Sequence, residues 1–135
     1  MGRGVILGIW IATKSSPSSR ASAAANPVFG QIQWDDRADE RARGNPELQD
    51  VTPEGIRRVL HDFVCAGGRL DERRETRSEW LETNADRPNY YRDVWYRAVV
   101  VVPVLFPQGL FIEVRLFDDD SESPWVEIVN AHPQI

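Results

Sequence analysis

Hydrophobic and polar positions alternate most cleanly near the carboxy terminus. In Leu110–Phe117, the side chains of Leu110, Ile112, Val114 and Leu116 fall on one face of an extended chain, and those of Phe111, Glu113, Arg115 and Phe117 on the other. Residues 91–102 (YRDVWYRAVVVV) are rich in β-branched and aromatic types, which pack well on a pleated surface and predict a strand. Pro103 and the run Pro107-Gln108-Gly109 mark its end and a turn, and Trp125–Ala131 predicts a third strand. The short connections imply an antiparallel meander over 91–102, 110–117 and 125–131.

The period changes upstream. Ile56, Val59, Leu60, Phe63 and Val64 recur at helical spacing. Thr52 as N-cap, Pro53 at the first helical position and Glu54 in the first turn predict where that helix starts, and Gly67-Gly68 where it stops. The expected helix covers 53–66. The charged stretch 69–84 (RLDERRETRSEWLETN) predicts a second, largely exposed helix near 71–83, with only Trp80 and Leu81 buried. Residues 35–45 (DDRADERARGN) have no apolar face and read as a solvated turn or two of helix, while Val28–Trp34 reads as a short strand. The expected fold is α+β: an antiparallel sheet of three to four strands, built on the meander 91–131 and packed on one side by one or two N-terminal helices.

Residues 13–27 are rich in Ser, Ala and Pro and read as a linker, which divides the chain into a leader or linker, 1–27, and one domain, 28–135. Val5–Ala12 reads as an edge strand. Arg3, the apolar stretch after it and the Ala-Ser-Ala run also resemble a signal peptide, but Lys14 and Arg20 fall where a cleavage region is neutral. A cytoplasmic location is the expectation, with export as the alternative. No apolar run reaches the ~20 residues needed to span a bilayer as a helix.

Composition narrows the function classes. A net charge of −5 argues against a broad phosphate-binding surface but leaves room for a local basic site. The single cysteine, Cys65, allows no intrachain disulfide, and on an apolar helix it reads as a small buried residue.

Three constellations carry candidate chemistry. The acidic knot Asp118–Glu122 lacks the glycine and the alternate ligand spacing of a calcium loop, so a plain turn is favoured over a weak cation site. Glu113 and Arg115 share a strand face, and IEVR is similar to the carboxylate–lysine pair of PD-(D/E)xK nucleases, with Asp93 as the second carboxylate. The simpler reading is a same-face ion pair on the solvated side. The two histidines, His61 and His132, could divide acid and base roles in metal-free RNA cleavage by 2′-OH attack, with Arg57 on the helix face of His61 binding substrate and Arg69, Arg73, Arg74 and Arg77 holding phosphate.

The order of a helix, a charged segment and a three-stranded meander ending in IVNAHP resembles the small ribonuclease toxins of the barnase–RelE-like superfamily over residues 52–133. The resemblance implies helices packed on an antiparallel sheet. It puts His132 at the terminal-strand catalytic position, with His61 or an arginine of 69–77, such as Arg77, as its partner. The leading expectation is therefore a metal-independent endoribonuclease using no cofactor, with RNA as substrate and a cognate antitoxin as partner. The alternatives are an acidic binding module (antitoxin, immunity or adaptor protein) and a magnesium nuclease built on Glu113 and Arg115. None of these readings involves a membrane.

Overall fold

The structure, a computed structural model, describes residues 31–120 and 122–134. The expectations for residues 1–27, including the strand at Val5–Ala12, lie outside the described residues. So does the start of the strand expected at Val28.

The sheet is larger than the meander. Its strands are β1 (Gln31–Trp34), β2 (Asp71–Arg74), β3 (Val94–Val102), β4 (Phe106–Asp118) and β5 (Trp125–Pro133), in the order β1-β5-β4-β3-β2. The pairs β5/β4, β4/β3 and β3/β2 are antiparallel, as the short connections require, but β1 lies parallel to β5, pairing Ile32 with Val126. Among the described residues the expected antiparallel sheet of three to four strands is thus corrected to a mixed sheet of five. Parallel neighbours need a long crossover, and here everything from residue 35 to 124 separates β1 from β5.

Helix α1 is Asp36–Gly44, α2 is Pro53–Cys65, α3 is Ser78–Thr83 and α4 is Asn89–Arg92. Helix α2 begins and ends where its punctuation predicts: Thr52 Oγ1 accepts from Gly55 N at 3.0 Å, and Gly67 takes φ +95° after the last turn. Its fully buried Ile56 and Leu60 share one core with Leu110, Ile112, Val114, Leu116, Val126 and Ile128. Trp34 Nε1 donates to the Pro53 carbonyl at 2.9 Å and Arg57 Nε to that of Ile32, also at 2.9 Å, tying α2 to β1.

Other expectations are corrected. Segment 35–45 is a full helix whose buried face is made of Ala38 and Ala42, four residues apart and small enough to be missed as an apolar stripe. The helix expected near 71–83 is a strand followed by a shorter helix, because an all-charged strand at a sheet edge, exposed on both faces, has no alternation to reveal it. Residues 89–92 are a helical turn, so β3 starts at Val94 rather than at 91. Helices also lie on both faces of the sheet. Alternation turns Glu113 and Arg115 away from α2, and that side is covered by Trp80 of α3 and Tyr91 of α4. Among the described residues, no helix is long and apolar enough to cross a membrane.

The turn between β3 and β4 falls at residues 103–105, and Gly109 lies within β4 at φ +109°. A Cβ at that position would meet Val99 Cγ1 at 2.5 Å. Gly109→Ala is expected to destabilise the fold by about 1–3 kcal/mol, since strain and overlap act together. A urea midpoint unchanged from wild type would contradict this.

Candidate arginine-lined cleft

The expected site residues do not come together. His61 is on α2, where Nδ1 lies 3.3 Å from Asp62 Oδ1 and Nε2 lies 3.6 Å from Cys65 Sγ. His132 is opposite Phe111 in the β4/β5 register, and its ring stacks on that phenylalanine at 4.7 Å. Phe111 is on the Glu113 and Arg115 face, so the sheet separates the two imidazoles. Arg57 binds β1 and Glu54. Arg69 and Arg73 are exposed, before and on the edge strand β2. Cys65, expected to be buried, is exposed at the end of α2. Only Arg77 enters a cleft.

That cleft has a volume of about 750 Å³, and its walls come from α1, from α3 with the loop after it, and from α4. Arg37 and Arg41 come from α1, Arg77 from just before α3, Trp80 from α3, Arg87 from the loop after it and Tyr91 from α4. Among the described residues, four arginines line it against two carboxylates, Asp35 and Glu79. Asp35 is itself the N-cap of α1, accepting from Ala38 N at 3.0 Å. Arg41 Nη2 donates to the Val129 carbonyl at 2.9 Å. Val129 is the extra residue of a β-bulge, where the register passes from Glu113↔Asn130 to Val114↔Ile128. A bulge leaves its residue outside the ladder, which is why this carbonyl is available to a side chain.

Beneath the cleft lies a buried ionic network. Arg115 is fully buried, and Glu75 and Glu113 are nearly so. Arg115 Nη1 donates to the carbonyls of Tyr91 and Val94 at 3.0 Å each, Nη2 pairs with Glu75, and the guanidinium sits 3.9 Å over Trp80. Glu113 Oε2 is 3.8 Å from Arg115 Nη2 and 3.3 Å from Arg77 Nη2. Glu75 receives Arg77 through Nε and Nη2, both at 2.9 Å, and also takes the backbone N–H groups of Thr76 and Arg77. Arg77 is thereby fixed through a two-point carboxylate contact while its side chain remains 56% exposed.

These contacts set the protonation states. Burial pushes the Glu75 carboxyl up, but hydrogen bonds from the side chain and backbone of Arg77 and from Arg115 outweigh it and hold it down at about 2. Burial lifts Glu113 above the ordinary glutamate range, with Arg77 and Arg115 opposing. Glu127 is also raised by burial, against the hydrogen bond from Tyr91 Oη at 2.8 Å. Burial depresses Arg115, although Glu75 and Glu113 resist; a guanidinium this basic stays charged throughout.

The ion pair read from IEVR therefore exists but is buried, not solvated. Both carboxylates expected to bind magnesium are engaged by cations: Glu113 faces two guanidinium groups, and Asp93 pairs with Arg92 at 2.7 Å. The acidic knot is a turn. Asp118 Oδ1 accepts from Asp120 N at 3.0 Å and Asp120 Oδ1 from Glu122 N at 2.8 Å. Among the described residues, no group of three or more His, Cys, Asp or Glu is placed to hold a metal ion. Sequence reasoning missed Arg37, Arg41 and Arg87. Comparison with protein-family models, with curated proteins and with solved structures gives no match to this chain.

Proposed function

We propose that this protein is a binding module whose cleft takes a small phosphate-bearing ligand. The observation that carries the reading is the set of four arginines lining one 750 Å³ cleft on a chain of net charge −5. Charge of the opposite sign is gathered where a ligand fits, and the volume lies within the roughly 300–1,000 Å³ of small-molecule sites. Guanidinium forks match phosphate oxygens bidentately. Arg77 is already held by Glu75, so less ordering is left for the ligand to impose. The acidic remainder of the surface disfavours a long polyanion.

Binding is better supported than cleavage. The histidines do not share a site, and Glu113 and Glu127, the carboxylates with raised pKa, lie below the cleft with their polar atoms engaged. Calorimetric titration with inorganic pyrophosphate tests the reading. Arg41→Ala and Arg77→Ala are each expected to weaken binding by roughly 10–100-fold, the usual size of a charge-assisted hydrogen bond, while Arg73→Ala on the edge strand leaves it unchanged. Added salt should weaken binding as well. Absence of binding at millimolar pyrophosphate, or equal loss in Arg73→Ala, would rule the reading out.

A further inference from the structure

The four arginines differ in what lies behind them. Arg87 is laid over an aromatic ring, with its guanidinium carbon 3.9 Å from the Tyr91 centroid. Tyr91 is buried, its hydroxyl is anchored to Glu127, and its ring stacks on Trp80 at 5.8 Å with 28° between planes. Phe117 meets Tyr91 edge-on at 6.3 Å and lies 5.7 Å from the Arg87 guanidinium carbon. Arg87 is thus a flat cation backed by a rigid aromatic slab, and it lines the cleft.

The aromatic faces themselves are taken. Trp80 has the Arg115 guanidinium over its ring at 3.9 Å and Tyr91 stacked on it, while Tyr91 carries Arg87. Arg87, half-buried, lines the cleft, and its guanidinium rather than a bare ring is the plane it offers a ligand group. Arginine planes and aromatic rings are the surfaces on which unpaired bases stack, because every base presents a π face. In the same lining, the Glu79 carboxylate and the carbonyl oxygen of Asn84, whose Nδ2 donates to the Trp80 carbonyl at 2.9 Å, add acceptors able to meet the polar edge of a base.

We infer that the ligand is a nucleoside phosphate, its base stacked on the Arg87 guanidinium and its phosphate held by Arg37, Arg41 and Arg77. The inference rests on the phosphate-binding reading and adds the base to it. Phosphate alone explains three of the arginines. Of the four, Arg77 also lies over a ring, 5.7 Å from the Trp80 centroid, but is held by Glu75; Arg87 is laid closest on an aromatic, 3.9 Å over buried Tyr91.

The test is a calorimetric comparison of AMP, ribose 5-phosphate and pyrophosphate on the full chain, using wild type and Arg87→Lys, with circular dichroism melting to show that both are folded. Lysine keeps the charge and removes the plane. Wild type should bind AMP about tenfold or more tighter than ribose 5-phosphate, as one stacked base supplies. Arg87→Lys should erase that preference, so that the variant binds AMP and ribose 5-phosphate equally within about twofold. If ribose 5-phosphate binds wild type as tightly as AMP does, the base contact is overturned and the phosphate site stands. If the AMP preference survives Arg87→Lys, the stacking role of Arg87 is overturned. If none of the three probes binds, the phosphate reading fails and takes this inference with it.

Discussion

Arg115→Ala is expected to lower unfolding free energy by about 4 kcal/mol, within the usual 3–5 kcal/mol for breaking a buried ion pair from one side. Its loss leaves Glu75 and Glu113 buried without their shared cation, and frees the carbonyls of Tyr91 and Val94 that fasten the α4 turn to the sheet. It also opens a void beneath Trp80. For a domain of this size that loss corresponds to a melting temperature lower by roughly 15 °C. Arg115→Met fills more of the space and tests charge more than volume. In that background Glu75→Gln should cost much less than it does in wild type, because the residues act as one unit and a double-mutant cycle reads their coupling. An Arg115→Met protein as stable as wild type, or additive effects of the two changes, would remove the network from the interactions that hold the fold.

The same residue shows how far the sequence could be read. Pattern carried helix α2 and the three long strands, because each has an exposed and a buried side. It placed Glu113 and Arg115 correctly on one face and wrongly in solvent. Phe111 and Phe117 bracket them on that face, and the two aromatics were the available sign that it was not simply wet. The charges that neutralise Arg115 come from Glu75, forty residues away, on a segment with no hydrophobic period at all. Strand β2 was illegible for the same reason: Asp71, Glu72, Arg73 and Arg74 are all exposed, so nothing alternates. Arg77 was named among candidate residues. Arg37, Arg41 and Arg87 were not, since each alone reads as a solvated charge and only the packing of α1 opposite α3 and α4 gives them a common cleft. The histidine pairing failed on topology. His61 and His132 are each plausible acid–base groups, but the sheet that α2 covers on one side carries His132 on the other.

Acid should unfold the protein through the same network, after a rise in stability. Burial raises Glu113 and Glu127 above the ordinary range, so between that range and their folded values the native state keeps protons that the unfolded chain releases. Stability therefore increases as pH falls through their folded values toward the ordinary glutamate value of about 4.5. Glu75 acts in the opposite sense. Its folded carboxyl is held at about 2, so below the ordinary glutamate value the unfolded chain takes up a proton that the native state refuses. Its contribution is present above the unfolded pKa and is lost as pH drops to about 2. It amounts to about 3 kcal/mol at 1.36 kcal/mol per pKa unit, with no discount for exposure because the side chain is only 1% exposed. A plot of urea-unfolding free energy against pH should thus peak in mild acid and fall steeply below it. Glu113→Gln should flatten the limb above the peak, and Glu75→Gln the limb below. Stability that climbs steadily from pH 5 to 8, or that holds level down to pH 2, would mean that these carboxylates do not carry the charges their partners imply.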